Sequence, residues 1–495
     1  MDAATLLVRA AARHPDRPFV IDDEGAVTFA QALDRARRIA GGLVVRGVAA
    51  GDRVGLCTPD STPFVLHILG AWLAGAIPAP IDPRTPDADL TYFLGDIAPV
   101  LIVSTDEHAE RLEAHSEAPV VGLRLLGHEG NGAAPNRHGP GAPLFWSYTS
   151  GSTGKPKACV IESAPVALGT ACIAERLGLR ATDVIIATTP TPSSFQLVSS
   201  LLPALHRGAA VRLVSGRDAD GIWEAAAESG GTVLVAYPLT LGDVVSSERA
   251  NSDHSFRVAL SGGSPLAPRL KRAYADRLGI PLVESYGQSE FGGFMAMGEL
   301  VGGERALAGY VGRPLPDRLA YVGGPDGAEL PAGTVGEVLV TEGFFPGYRN
   351  KPAETEKTLA GGVLHCGDVA ISDEEGYLKV LGRVHEHERA KARGAFLREL
   401  EDRAYEHPDV KHAAVVEPAD NGAPRAYAEV LDGRQVSAEA LGEFIAAGLA
   451  SHGLDGGGLD VHGLDVHGLD VRLLESMPRT FSGKADRHGL SLLDA

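Results

Sequence analysis

Cysteine is scarce. Among 495 residues there are four, Cys57, Cys159, Cys172 and Cys366, with no C-x-x-C pair and no His/Cys ligand spacing. A disulfide framework and a structural zinc site are thereby excluded, which leaves reduced thiols in a core. Positive charge is also in deficit, with 45 Lys and Arg against 64 Asp and Glu and a formal net charge of −19. Nucleic-acid and anionic-membrane partners draw on clustered cations, so neither is expected. No apolar run approaches membrane-spanning length, and Met1-Asp2-Ala3-Ala4 lacks the basic start of a signal peptide. A cytoplasmic location follows as the expectation, and the length implies two or more domains.

Against that background one stretch stands out: Ser147-Tyr148-Thr149-Ser150-Gly151-Ser152-Thr153-Gly154-Lys155-Pro156-Lys157. Small hydroxylated residues with glycine expose backbone N–H groups that can wrap a polyphosphate. The stretch is not a Walker loop, because Thr149 stands where that motif needs Gly and Pro156 where it needs Ser or Thr. Pro156 biases Lys155 toward extended geometry, so the loop is not expected to run straight into a helix. A Ser/Gly linker is the bland alternative, and the apolar Pro143-Leu144-Phe145-Trp146 just before it argues against one. The segment resembles the phosphate loop of the adenylate-forming superfamily of acyl-CoA synthetases, adenylation domains and luciferases.

The remainder of the chain is an α/β text. An amphipathic helix opens at Thr28, a possible cap with Gln31 three residues on, and runs toward Leu43. Strand patterns at Gly51–Cys57 and Ile77–Ile81 flank a helix over Phe64–Ala74, which implies layered α/β structure with parallel pairing. Ala118–Pro143 reads as loop. Beyond the glycine-rich stretch come helices near Pro165–Leu177 and Leu197–Leu205 and strands at Val184–Thr188 and Ala210–Val214, then a β-rich part from 305 to 381. Val410–Val416 reads as a strand and Ala438–Leu449 as a helix. Gly-Leu-Asp recurs at 453, 458, 463 and 468. Four copies are too few for a repeat architecture and read as a tandem expansion in a surface loop.

Four further motifs follow in the superfamily's order. Leu260-Ser261-Gly262-Gly263-Ser264-Pro265 is a strand ending in a glycine turn, and Glu284-Ser285-Tyr286-Gly287-Gln288-Ser289-Glu290 supplies an aromatic face, a hydroxyl and a carboxylate within a few residues. The resemblance places both around the nucleotide, with Tyr286 against the adenine, Ser289 on a phosphate and Glu290 on Mg²⁺. His365-Cys366-Gly367-Asp368 and Gly382-Arg383 come next. An Asp can accept both hydrogen bonds of a ribose diol, the role implied for Asp368, and Arg383 adds a fixed guanidinium. Last is Met477-Pro478-Arg479-Thr480-Phe481-Ser482-Gly483-Lys484. Its lysine, by resemblance, reaches the ATP α-phosphate, where it stabilises the negative charge that accumulates there.

The resemblance implies an α/β fold with a large multi-subdomain N-terminal ATP- and acid-binding domain (1–382), a hinge (383–386, with Glu386 as the hinge acid) and a small mobile α+β lid (387–495). Thr149 to Lys157, meaning Thr149, Ser150, Gly151, Ser152, Thr153, Gly154, Lys155 and Lys157, would hold the β,γ-phosphates. Lys484, Glu290 and Ser289 are the catalytic set. Gly263, Ser264, Pro265, Ser285, Tyr286, Gly287, Gln288, Asp368 and Arg383 are the nucleotide set. Ser194, Phe195, Tyr237, Gly262 and Gly287 are the acid pocket. Relatives that activate α-amino acids often keep an Asp near the Phe195 position. A buried ammonium without a partner is costly, so a non-amino acid is expected.

One segment departs from the family text. After Arg383 the chain reads Val384-His385-Glu386-His387-Glu388-Arg389-Ala390-Lys391-Ala392-Arg393-Gly394-Ala395-Phe396. Lys391–Gly394 resembles the loop that shapes the thiol tunnel, and His385 and His387 read as a solvated hinge rather than metal ligands. The implied activity is attack of a carboxylate on Mg-ATP to give an acyl-adenylate and pyrophosphate, then transfer to a thiol on CoA or on a carrier protein in trans. Two alternatives stand beside it: an adenylating enzyme with a non-thiol acceptor, such as an amide-forming ligase or a nitrite-activating diazotase, and a catalytically silent nucleotide-binding protein.

Overall fold

The computed structural model describes residues 3–123, 142–148, 157–190, 193–300, 303–316, 318–393, 395–418, 423–451, 469–480 and 483–493. Thr149–Pro156, most of the Gly-Leu-Asp repeat, Gly394 and Phe481-Ser482 therefore lie outside the described residues.

Helix Phe29–Val45 starts as its sequence dictates. The Thr28 side chain accepts from the Gln31 N–H, and the Gln31 side chain accepts from the Thr28 N–H at 3.0 Å. It packs on helix Thr62–Ala74, which is apolar all round and buried accordingly. A Cβ at Gly70 would meet the Ile39 side chain at 2.5 Å, so that glycine sets how closely the two helices approach.

The parallel pairing expected from strand–helix alternation is present. Ile77–Pro80, Arg53–Cys57, Leu101–Ser104 and Val120–Gly122 form one parallel sheet. A nine-stranded sheet lies at the centre of the chain. Within it Leu282–Tyr286, Val258–Ser261, Val233–Val235 and Val184–Ala187 run parallel and side by side. Each of these four strands is largely apolar, as burial on both faces requires. Their carboxyl ends point to one side, where open α/β sheets bind ligands.

The β-rich part is a four-stranded antiparallel sheet of Ala320–Gly323, Gly336–Val340, Leu364–Ser372 and Leu378–Arg383. A carboxyl-terminal lobe follows, in which Val410–Val416, Arg425–Val430 and Asp470–Leu474 form a small mixed sheet packed on helices Leu397–Glu406 and Ala438–Ser451.

Three segments differ from the sequence reading. Val120–Gly122, within the stretch read as loop, is a sheet strand. The helix expected from Leu197 begins at Ser194, passes through a π-turn at Leu197–Leu201 and ends at Arg207, which puts Phe195 in its first turn. The loop expected around Lys391 is instead the end of helix His387–Arg393, preceded by a 3₁₀ turn at Val384–Glu386. Glu, Arg, Ala and Lys are strong helix formers.

Candidate active site

The two strands that flank the glycine-rich stretch pair with each other. Strand Pro143–Tyr148 pairs antiparallel with Ala158–Glu162, Tyr148 opposite Ala158, so Lys157 leads into a strand and not a helix, as Pro156 suggested. The Lys157 ammonium lies 4.4 Å over the Tyr348 ring and 3.3 Å from Glu354. The Tyr348 hydroxyl in turn donates to Glu290 Oε1 at 2.6 Å. Burial and the adjacent Glu290 carboxylate push the Tyr348 phenol up, so it remains a donor. A single carboxylate such as Glu290 is a donor type that suits Mg²⁺, which takes one or two carboxylates and completes its shell with phosphates and water.

Three of the residues expected around the nucleotide converge on Asp368. The Tyr286 hydroxyl donates to Asp368 Oδ2 at 2.5 Å, and Gln288 Nε2 donates to the same oxygen at 2.6 Å. Asp368 and Arg383 are register partners on adjacent strands, and the Arg383 guanidinium stands 3.1 Å from Asp368 Oδ1. Burial pushes the Asp368 carboxyl up, with Arg383, Tyr286 and Gln288 opposing. The backbone here is tight: a Cβ on Gly287 would lie 2.1 Å from the Gly293 carbonyl oxygen. Ser285 is buried, and its hydroxyl donates to the Ser261 carbonyl at 2.7 Å, tying the two strand ends together. Ser289 and Glu290 occupy the 3₁₀ turn Ser289–Phe291. Ser264 and Pro265 follow the strand end at Ser261, half-buried.

The acid-pocket residues come from neighbouring strand ends. The Phe195 ring centroid lies 4.9 Å from that of Tyr237 and 5.7 Å from that of Phe294. Ser194 precedes Phe195 in the same turn, and Ser193 Oγ is 3.2 Å from the Tyr237 hydroxyl. Burial pushes the Tyr237 phenol up to about 12. A Cβ on Gly262 would meet Ser285 Oγ at 2.2 Å and the Phe195 ring at 3.1 Å. Position 195 is thus Phe rather than Asp, within an aromatic cluster with Tyr237 and Phe294.

Lys484 arrives from the carboxyl-terminal lobe on a tight turn, where the Thr480 N–H donates to the Lys484 carbonyl at 2.8 Å and Gly483 adopts φ +93°. Its Nζ stands 5.0 Å over the Tyr237 ring and 3.1 Å from where a Cβ on Gly263 would be. Gly263 itself has φ +70°, a backbone conformation that favours glycine there. Burial lowers the Lys484 ammonium to about 8. One cation from the last motif thus meets Tyr237 and the glycine turn of the second.

Residues 7–349 match the family described as AMP-binding enzyme. The chain belongs to the AMP-binding enzyme family. Feruloyl-CoA synthase of an Amycolatopsis species is 27% identical over 460 residues, covering 90% of this chain and 92% of that protein. Sulfoacetate–CoA ligase of Cupriavidus necator is 28% identical and covers 84% of each chain. The crystal structure of a benzoate CoA ligase from Burkholderia xenovorans superposes with a TM-score of 0.86 at 22% identity, covering 99% of this chain and 100% of that one. The α/β fold read from the sequence is therefore that of the AMP-binding family.

Tyr348 was not legible as a site residue of this AMP-binding enzyme. Gly347-Tyr348 is recognisable in the family's order, but only the fold brings its hydroxyl to Glu290 across 58 residues of chain. Glu386 accepts from the Arg383 N–H at 3.2 Å and so fixes the turn after the last strand of the β-rich sheet. Among the described residues no helix is long and apolar enough to cross a membrane.

Proposed function

We propose that this AMP-binding enzyme is an ATP-dependent, AMP-forming ligase that adenylates a non-amino carboxylic acid, aryl or acyl, releases pyrophosphate and passes the acyl group to the thiol of CoA. The observation that carries the reading is the approach of Lys484 to Gly263 and Tyr237, where the pocket and the glycine turn meet. A carboxylate held against the Phe195 and Tyr237 rings would lie beside that ammonium. Transfer to CoA is supported by relatives named for CoA ligase or synthase activity over most of their length. Carrier-protein transfer has weaker support, from a match to 18% of a plipastatin synthase subunit of Bacillus subtilis.

In this reading the Tyr286–Asp368–Gln288 cluster takes the adenosine, with Asp368 and Arg383 on the ribose. Thr149–Lys157 and Ser289 take the phosphates. Mg²⁺ at Glu290 would neutralise the polyphosphate. The carboxylate oxygen attacks the α-phosphorus, the bond to the β-phosphate oxygen breaks, and Lys484 stabilises the charge that builds on the α-phosphate oxygens. No residue has to act as a nucleophile, because orientation and electrostatics suffice.

Incubation with Mg-ATP, CoA and a panel of aryl and acyl acids, with products read by mass spectrometry, should give AMP, pyrophosphate and an acyl-CoA. Lys484→Ala should lower adenylation by about a hundred- to a thousand-fold. Absence of pyrophosphate with every acid would overturn the reading, as would AMP formed only with nitrite and an aryl amine.

A further inference from the structure

Helix Pro238–Ser246 touches the Lys484 segment twice. Its N-cap is Tyr237, the ring under the Lys484 ammonium. Less than two turns on, Asp243 Oδ2 accepts from the Arg479 guanidinium at 2.6 Å, at the start of the same segment. Asp243 Oδ1 also accepts from His412 Nε2 at 2.8 Å and stands 3.0 Å from the Lys411 ammonium. Three cationic or cation-capable side chains of the carboxyl-terminal lobe thus converge on one carboxylate of the large domain.

The contacts continue inward. Lys411 is also 3.0 Å from Glu429 Oε1, and Glu429 Oε2 accepts from the Met477 backbone N–H at 2.6 Å, at the root of the segment. Asp243, His412 and Glu429 offer ligand atoms within 4.8 Å of one another. The Lys411 ammonium already bridges the two carboxylates, so the chain's own cation serves where a metal would otherwise be needed.

Backbone geometry adds a second, independent observation. His412 is fully buried against Gly242, where a Cβ would meet its ring at 2.6 Å. Glycine inside a helix is unfavourable, and here it is the residue that lets the strand Val410–Val416 close on the helix.

We propose that Asp243, with Gly242 beside it, is a positioning residue that docks the carboxyl-terminal lobe where Lys484 reaches the site. This rests on the ligase reading for its chemistry. The docking itself does not. The described contacts of the Asp243 side chain are to Arg479, Lys411 and His412, all in the carboxyl-terminal lobe.

The test uses the full chain in two variants, Asp243→Asn and Gly242→Ala. The second adds a better helix former and so keeps the helix folded while pushing His412 away. Pyrophosphate formation with acid and Mg-ATP should fall at least tenfold in each. Asp243→Asn should cost nothing further in a Lys484→Ala background. Independently of activity, nitroxides at Ala227→Cys and Gln435→Cys, two exposed positions in a Cys172→Ser chain, should report a lobe-to-lobe distance that is narrow in wild type and broad in both variants.

A further loss in the Lys484→Ala background, or an unchanged distance distribution, would overturn the proposal. Wild type that forms no pyrophosphate with any acid overturns the ligase reading instead, while the substrate-free distances still decide the docking.

Discussion

Lys484 is poised by the same burial that brings it to the site. Its ammonium is lowered to about 8 from 10.5, burial being the cause. In the free enzyme the charged fraction therefore falls as pH rises through about 8, and kcat/KM for ATP should fall with it, since that ratio reports groups of the free enzyme. Bound phosphates favour the charged form, so the corresponding limb in kcat should lie at higher pH. Lys484→Arg, whose guanidinium keeps its proton, should remove the limb from kcat/KM whatever its effect on the rate itself. A pH profile of pyrophosphate release for both proteins checks this.

Tyr348 acts one residue further out. Its hydroxyl holds Glu290 Oε1 at 2.6 Å, and Tyr348→Phe deletes that bond while keeping the ring that packs on Phe345. Groups that orient a metal ligand are worth about ten- to a hundred-fold in metal affinity. The Mg²⁺ concentration for half-maximal adenylation should rise by that factor with little change in thermal midpoint. A variant with unaltered Mg²⁺ dependence would remove Tyr348 from the site.

At the scale of elements, the motifs that were legible in the sequence are those that complete themselves locally. Ser261-Gly262-Gly263 and Tyr286-Gly287-Gln288 each lie at the end of a parallel strand, where a short apolar run and a glycine turn predict both the strand and the ligand side. Pro156 told against a helix directly after the glycine-rich stretch, and a strand follows there, but the hairpin itself was not legible. Nor was helix His387–Arg393, because the family likeness pointed to a loop and local propensity prevailed. Tyr348 and Asp243 were out of reach for a different reason: each meets its partner across a long stretch of chain, and no spacing encodes that. Gly287 shows how much a turn can depend on one hydrogen. A Cβ there would stand 2.1 Å from the backbone oxygen of Gly293, an atom that cannot rotate away. Gly287→Ala should therefore cost about 1–3 kcal/mol, in the range of overpacked cores, seen as a lower denaturation midpoint in urea, and should weaken nucleotide binding through Tyr286.

Across the whole molecule, the carboxyl-terminal lobe is held by more than the Asp243 cluster. Arg269 donates to the carbonyls of Tyr405, His407, Pro408 and Val410 at 2.5–2.8 Å, gathering the end of helix Leu397–Glu406. Arg272 pairs with Glu406 on the same helix, and Arg398 reaches back to Glu284, itself paired with Lys271 at 2.6 Å. All of these large-domain partners come from residues 269–284, and Asp243 from the neighbouring helix. If the lobe docks as one rigid body, its docked fraction depends on the product of these contributions, and no single one acts alone. Hydrogen bonds from a charged donor are each worth about 1.5–3 kcal/mol, so Arg269→Ala should by itself slow adenylation. Combined with Asp243→Asn, the loss should be at least the product of the two single losses, because the first variant removes the reserve of docking that buffers the second. Stopped-flow pyrophosphate release on the four proteins measures this directly. A combined loss smaller than that product would mean that the two contacts do not act on one equilibrium, and the lobe would then have to be treated as two independently held parts.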